Sequence, residues 1–172
     1  LAEERQISAT GRLVRDNVFG SIEDDAWRRD FTVNALYYDI RDYNVLDFTG
    51  GYNDVKRRKL QLIGDPITRF REDPVRLLRA IRFVVKNGLE IDFATAEPIK
   101  PLGHLLEDVP AARLFDETLK LFMGGYALQV FAWLERYELF RVLFPETGKL
   151  IDNSVTRRFI QEAFRNTDSR LA

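Results

Sequence analysis

The segment DPVRLLRAIRFVVKNG, Asp73–Gly88, constrains the fold more than any other. Pro74 lacks an N–H and its ring crowds the preceding turn, so it belongs in the first turn of a helix. Glu72 and Asp73 stand ahead of it, where the helix dipole favours anions. Leu77, Ile81, Val84 and Val85 recur at helical spacing as one apolar face, and Asn87-Gly88 closes the element. On the same helix Asp73, Arg76, Arg79 and Arg82 follow one another at a step of three. Residues i and i+3 share a face, so a carboxylate and a guanidinium stand side by side with two further guanidinium groups beyond them.

That pair suits a flat polar ligand. The pairing edge of adenine, like that of cytosine, offers an amino donor beside a ring-nitrogen acceptor. Asp73 can accept from the first and Arg76 can donate to the second. Guanine and uracil reverse the order. Forked guanidinium groups also suit phosphate oxygens, so Arg79 and Arg82 fit a triphosphate further along. Taken by itself, the same spacing also fits a surface ion pair worth under about 1 kcal/mol.

The charge distribution is uneven. The net charge is −1, yet residues 56–86 carry ten basic side chains against three acidic ones. A local basic block in a near-neutral chain points to an anionic ligand held at one place, although a solvated face would carry one too. With 172 residues, 45% of them hydrophobic, the chain can bury a core as one domain or as two small subdomains sharing it. There is no cysteine, which excludes disulfides and thiolate metal sites and suits the cytoplasm. The single histidine, His104, excludes any site that needs two. No apolar run reaches the length of a membrane span, so no membrane insertion is expected.

Residues 1–20 are polar and glycine-punctuated and read like the interior of a longer protein. DDAWRRDFTVNALYYDI carries both a helix-start signal at Asp24 and Asp25 and a strand-like alternation at Phe31, Val33, Ala35 and Tyr37. ALYYDIRDYNVLDF reads as a hairpin around residues 41–44, and FTGGYNDVKRRK as a glycine turn entering a short basic helix. From residue 72 the signals are helical, with further helices expected near 94–107, 110–123, 126–142 and 154–166. Trp27 and Trp133 are expected in the core, and Arg113 with Glu117 as an ordinary i, i+4 helix pair.

RRDFTVNAL (Arg28–Leu36), DFTGGYNDV (Asp47–Val55) and REDPVRLLRAIRF (Arg71–Phe83) occur in this order, followed by VPAARLFDETLKL (Val109–Leu121). Together they resemble the later motifs of the class II nucleotidyltransferase family, which holds CCA-adding enzymes and bacterial poly(A) polymerases. The likeness covers roughly residues 15–145. The run Arg15–Gly20 and the pair Tyr37-Tyr38 sit closer to the bacterial poly(A) polymerases.

The resemblance implies an α+β part of a nucleotidyltransferase head, hairpin and short helices, over residues 1–60. It implies an all-α neck over 61–123 and the start of a helical body over 124–172, predominantly α in total. It implies that Asp73 and Arg76 contact the incoming base and that Arg79 and Arg82 bind the nucleotide. Arg29 matches a nucleotide contact, and Asp30 a position beside the ribose; read alone, Asp30 is an N-cap or a partner of Arg28. Lys56, Arg57, Arg58 and Lys59 are candidates for RNA contact. Gly50 and Gly51 are read as architectural, in a turn that needs positive φ.

The family's glycine turn and Asp-x-Asp pair, which hold two magnesium ions, are not found. The nearest stretch, FGSIEDDAW, has no strand-like run carrying its acids. The main metal carboxylates are therefore expected outside this chain, on a catalytic segment that would be its partner, and the chain alone is expected to be inactive. Asp42, in the hairpin, is the first remaining candidate for a catalytic carboxylate and Asp30 the second, though IRDYN also reads as a plain turn. The leading expectation is AMP transfer from ATP to RNA 3′ ends. CCA addition to tRNA and a non-catalytic helical RNA-binding module are the alternatives.

Overall fold

A computed structural model of the chain describes residues 6–7, 13–15 and 20–171. It begins with a short antiparallel pair, β1 (Gln6–Ile7) and β2 (Leu13–Arg15), which the polar sequence there did not foretell. Most of the run Arg15–Gly20 lies outside the described residues.

The ambiguous DDAWRRDFTVNALYYDI resolves into both of its readings in succession. α1 (Ile22–Arg28) starts with a capping box. The Ser21 hydroxyl accepts from the Asp24 N–H at 3.2 Å, and the Asp24 carboxylate accepts from the Ser21 N–H at 2.7 Å. A 3₁₀ turn (Thr32–Asn34) follows, then an antiparallel hairpin, β3 (Leu36–Asp39) with β4 (Asn44–Asp47).

The Asp47 carboxylate next accepts from four backbone N–H groups, those of Thr49, Gly50, Gly51 and Tyr52, at 2.9–3.1 Å. It thereby seats the start of α2 (Gly51–Arg57). Gly50 has φ +83°, as a tight turn requires, but Gly51 is needed for another reason. A Cβ there would lie 2.1 Å from the Thr32 carbonyl oxygen, so only glycine lets α2 approach the 3₁₀ turn.

α3 (Pro66–Glu72) is a helix that the reading from residue 72 onward leaves out. Asp65 caps it, accepting from the Thr68 N–H at 2.8 Å, with Pro66 in the first turn. Asp73 is thus the C-cap of α3, not a residue of the next helix, and Pro74 opens α4 (Val75–Asn87). Gly88, at φ +59°, closes α4 as expected. Arg58 donates to the Asn87 and Gly88 carbonyls at 2.9 and 3.1 Å, so it caps that helix end from 29–30 residues away.

β5 (Lys59–Leu60) pairs in parallel with β6 (Glu90–Ile91). The helix expected over 94–107 is two pieces, α5 (Phe93–Ala96) and a 3₁₀ segment (Gly103–Asp108), divided at Pro98 and Pro101. α6 (Ala111–Phe122) stands where expected. The helix expected over 126–142 breaks at Glu138, φ +61°, into α7 (Ala127–Arg136) and α8 (Leu139–Leu143). α9 (Pro145–Leu150) and α10 (Ser154–Leu171) complete the order.

One core runs from Phe31, Leu60 and Leu62 through α4 (Leu77, Leu78 and Ile81) to Phe131, Leu134 and Ile151. The α+β piece and the helical piece therefore share a single interior, with α4 as its axis. Truncating a fully buried α4 leucine such as Leu77 would cost about 2–5 kcal/mol. α10 closes over α6 and α7 through Phe164, which stacks on Phe122 of α6 at 4.6 Å and meets Phe131 of α7 at 5.5 Å. Trp133 is half-buried against this core, but Trp27 is 51% exposed: its neighbour Ala26, not Trp27, turns inward from α1. Among the described residues no helix is long and apolar enough to cross a membrane.

Candidate functional site

A cleft of about 440 Å³ lies between the end of α1, the 3₁₀ turn, the first half of α4 and α6. Arg29 and Asp30 from the first motif, Asp73, Arg76 and Arg79 from the second, and Arg113 and Glu117 from a third converge on this one space. Asn34, Val75 and Phe83 complete the lining. Its size is in the range of small-molecule sites.

The local structure explains how each charge is held. Asp30 is 8% exposed and accepts from the Phe31 N–H at 2.9 Å and the Asn34 side-chain amide at 3.1 Å. Arg79 Nε donates to Asp30 Oδ2 at 2.6 Å, and its Nη2 lies 2.5 Å from the same oxygen, so the guanidinium closes on one carboxylate oxygen. Asp30 is therefore not an N-cap; it fixes the Arg79 guanidinium, while Arg28 reaches the Asp24 carbonyl at 3.3 Å and Asp25 at 3.9 Å.

Arg76 is also largely buried, and its Nη1 donates to the Arg69 carbonyl at 2.9 Å. Burial pulls the Arg76 pKa below the ordinary arginine value, as does the Arg69 charge; Asp73, Glu72 and Asp30 oppose the shift. Arg69, which the sequence did not single out, joins the site to its frame. It donates to the Arg28 and Arg29 carbonyls at 2.9 and 2.7 Å and to Glu72 at 2.8 Å. One buried guanidinium thus caps the end of α1 and ties it to α3.

Asp73 accepts from the Val75 N–H at 3.3 Å and from Arg113 Nη2 at 2.7 Å. Arg113 and Glu117 are accordingly not partners of one another: Glu117, buried, accepts from Lys120 at 2.7 Å and faces Arg82 at 3.9 Å. Arg82 is absent from the cleft lining; it lies over the Phe83 ring at 5.0 Å. A step of three turns slowly about the helix axis, and by the third step the side chain has left the cleft.

The other candidates lie elsewhere. Asp42 is exposed in the β3–β4 turn, where it accepts from the Asn44 N–H at 3.3 Å. Lys56, Arg57, Arg58 and Lys59 are exposed at the end of α2 and in β5, with Arg58 engaged on α4 and Lys59 4.0 Å from Asp92. Asp24 sits in its capping box on a helix. Among the described residues no three carboxylate or histidine side chains cluster to hold a metal ion. The described residues do not by themselves fit a two-magnesium centre.

Residues 2–61 match the family described as "Poly A polymerase head domain", and residues 88–151 the one described as "Probable RNA and SrmB- binding site of polymerase A". Poly(A) polymerase I of Escherichia coli O6:H1 is 49% identical over 169 residues, 96% of this chain and 36% of that protein. The chain belongs to the poly(A) polymerase and tRNA nucleotidyltransferase family. It spans about a third of the length of the curated polymerases it matches. Within the family, the CCA-adding enzyme of Bacillus pumilus is 39% identical over 121 residues, 69% of this chain and 30% of that protein. The fold agrees with that of a tRNA nucleotidyltransferase solved with a primer tRNA and an incoming ATP analog. That likeness has a TM-score of 0.69 and 29% identity, over 76% of this chain and 39% of the other.

Proposed function

We propose that this chain is part of a template-independent polymerase that transfers AMP from ATP to RNA 3′ ends, and that the cleft receives the incoming nucleotide. The carrying observation is the 49% identity to a poly(A) polymerase across 96% of the chain, against 39% across 69% for a CCA-adding relative. The convergence of three motifs on one cleft supports the placement of the nucleotide.

Asp73 accepts from the amino group of the base and Arg76 donates to its ring nitrogen. Asp30 and Arg79 act as a unit at the sugar–phosphate side, the carboxylate holding the guanidinium toward anionic oxygens. Arg29 meets the nucleotide from the opposite wall. Arg82 acts at longer range, as a positive charge behind the cleft. Lys56 and Arg57, with Lys59, meet the RNA backbone, while Arg58 contributes less because its Nε and Nη2 are engaged on α4. The chain divides into a head segment to residue 60, a neck to 123 and the start of a body; the head match ending at residue 61 supports the first boundary, and the RNA-binding match over 88–151 runs across the second. Magnesium is the metal of the proposed chemistry, and its main ligands are carboxylates other than those described. The absence of cysteine fits a cytoplasmic setting.

The test is extension of a short RNA by the full-length protein with magnesium and each triphosphate in turn. Homopolymeric A tails from ATP are expected. Addition restricted to C, C and A on a truncated tRNA would instead establish the CCA reading, and RNA binding without extension would establish a non-catalytic module. The 172-residue chain by itself is expected to add nothing.

A further inference from the structure

Arg29 lines the cleft, yet 45% of its side chain is exposed, and an arginine so placed ordinarily samples many rotamers. Here it is gripped from behind. Its Nε donates to the Tyr37 hydroxyl at 3.0 Å, its Nη2 to Asp25 Oδ2 at 3.1 Å, and its Nη1 to the Asn34 carbonyl at 3.2 Å. The Tyr37 hydroxyl in turn donates to the same Asp25 oxygen, closing a three-membered ring of contacts. The guanidinium also lies over the Tyr37 ring, 5.0 Å from its centre. A guanidinium has five N–H donors; this arrangement holds three and leaves two for a ligand.

The ring of contacts has its own foundation. Tyr37 packs with Phe48 against Ala26, Ala35 and Ile63, a small cluster separate from the main core. That cluster fixes the phenol, the phenol and Asp25 fix the guanidinium, and neither Tyr37 nor Asp25 lines the cleft. The next residue, Tyr38, points to the other face of β3 and is 60% exposed.

We propose that Tyr37 and Asp25 are positioning residues for the nucleotide: they act through Arg29, holding its two remaining donors toward the anionic oxygens of a bound nucleoside triphosphate. This rests on the reading of the cleft as the nucleotide site. Tyr37→Phe keeps the ring, its packing and the cation–π contact and deletes only the hydroxyl, so it isolates the grip from the fold.

In the full-length polymerase, Tyr37→Phe is expected to raise the KM for ATP about three- to tenfold, with kcat changed less than KM. Asp25→Asn should act in the same direction, and Tyr38→Phe should leave both constants unchanged. The decisive measurement is the double variant. In an Arg29→Ala background, Tyr37→Phe should have no further effect, because the group through which it acts is gone. Equal effects of Tyr37→Phe with and without Arg29 would overturn the proposal. So would a Tyr37→Phe enzyme with unaltered KM beside an impaired Arg29→Ala enzyme, a result that leaves the nucleotide site itself intact. If Arg29→Ala itself has normal ATP kinetics, the assignment of Arg29 to the nucleotide fails and the positioning role fails with it.

Discussion

Arg113 and Asp73 stand 40 residues apart in the chain and meet at 2.7 Å, Nη2 to Oδ2, so that α6 restrains the carboxylate at the junction of α3 and α4. Asp73 and Arg76 alone offer one acceptor and one donor, which adenine and cytosine satisfy equally. A preference for adenine must then come from how firmly the pair is held and how much room lies beside it.

Single-nucleotide incorporation by the full-length enzyme tests that restraint. Arg113→Ala should raise the use of CTP relative to ATP by about tenfold, the worth of one charge-assisted contact, while GTP and UTP remain rejected. Asp73→Ala should instead erase discrimination against GTP and UTP and slow ATP addition. An Asp73→Ala enzyme still fully selective for ATP removes the base-reading role.

Arg79 and Arg82 are expected to separate. Arg79 lines the cleft and Arg82 does not, so Arg79→Ala should weaken ATP binding about ten- to a hundredfold and Arg82→Ala distinctly less. Equal losses, measured as KM for ATP, would show that the cleft extends along α4 to Arg82.

Asp30→Ala should behave differently from either. It removes a buried anion and takes that partner from the Arg79 guanidinium, which is 30% exposed, a change worth about 1.5–3 kcal/mol of stability for one charge-assisted contact. Urea denaturation gives the value directly. A loss under about 1 kcal/mol would mean that the pair is solvated.

Asp47 predicts an acid limit for the α2 turn. Burial raises its pKa, but four backbone donors outweigh that and hold the carboxyl below the ordinary carboxylate range. Its folded pKa is thus depressed, so its contribution is fully present above the unfolded value of about 3.9 and is lost as pH falls through the folded one. Asp47→Asn should be less stable than the parent at neutral pH, and the gap should narrow below about pH 4. Denaturation midpoints at several pH values follow it; a gap constant with pH would contradict the assignment.

Much of this was legible where punctuation is strong. Pro74 and Gly88 bound α4, and its four apolar positions face inward as the periodicity requires. The Asp65-Pro66 pair carries the same signal as Asp73-Pro74 and marks the start of α3. Pro98 and Pro101 could likewise have divided the helix expected over 94–107. The break at Glu138 had no such mark, since neither glycine nor proline stands there. In the site, residue types could suggest Asp73, Arg76 and Arg79. They could not show that Arg113 turns to Asp73 instead of Glu117, or that Arg69 secures two other elements. Those partners are set by the packing of helices far apart in sequence, which local spacing does not encode.

The first N–H groups of α7, on Ala127 and Leu128, are met not by a neighbouring side chain but by the Asp168 carboxylate near the end of α10, at 2.5 and 3.0 Å. During synthesis, that partner is made 40–41 residues after the helix start that needs it. At about 5–20 residues per second, α7 would wait roughly two to eight seconds for its cap. α7 is therefore completed from α10 backwards, and a ribosome paused within α10 would hold a nascent chain whose α7 is still unsealed.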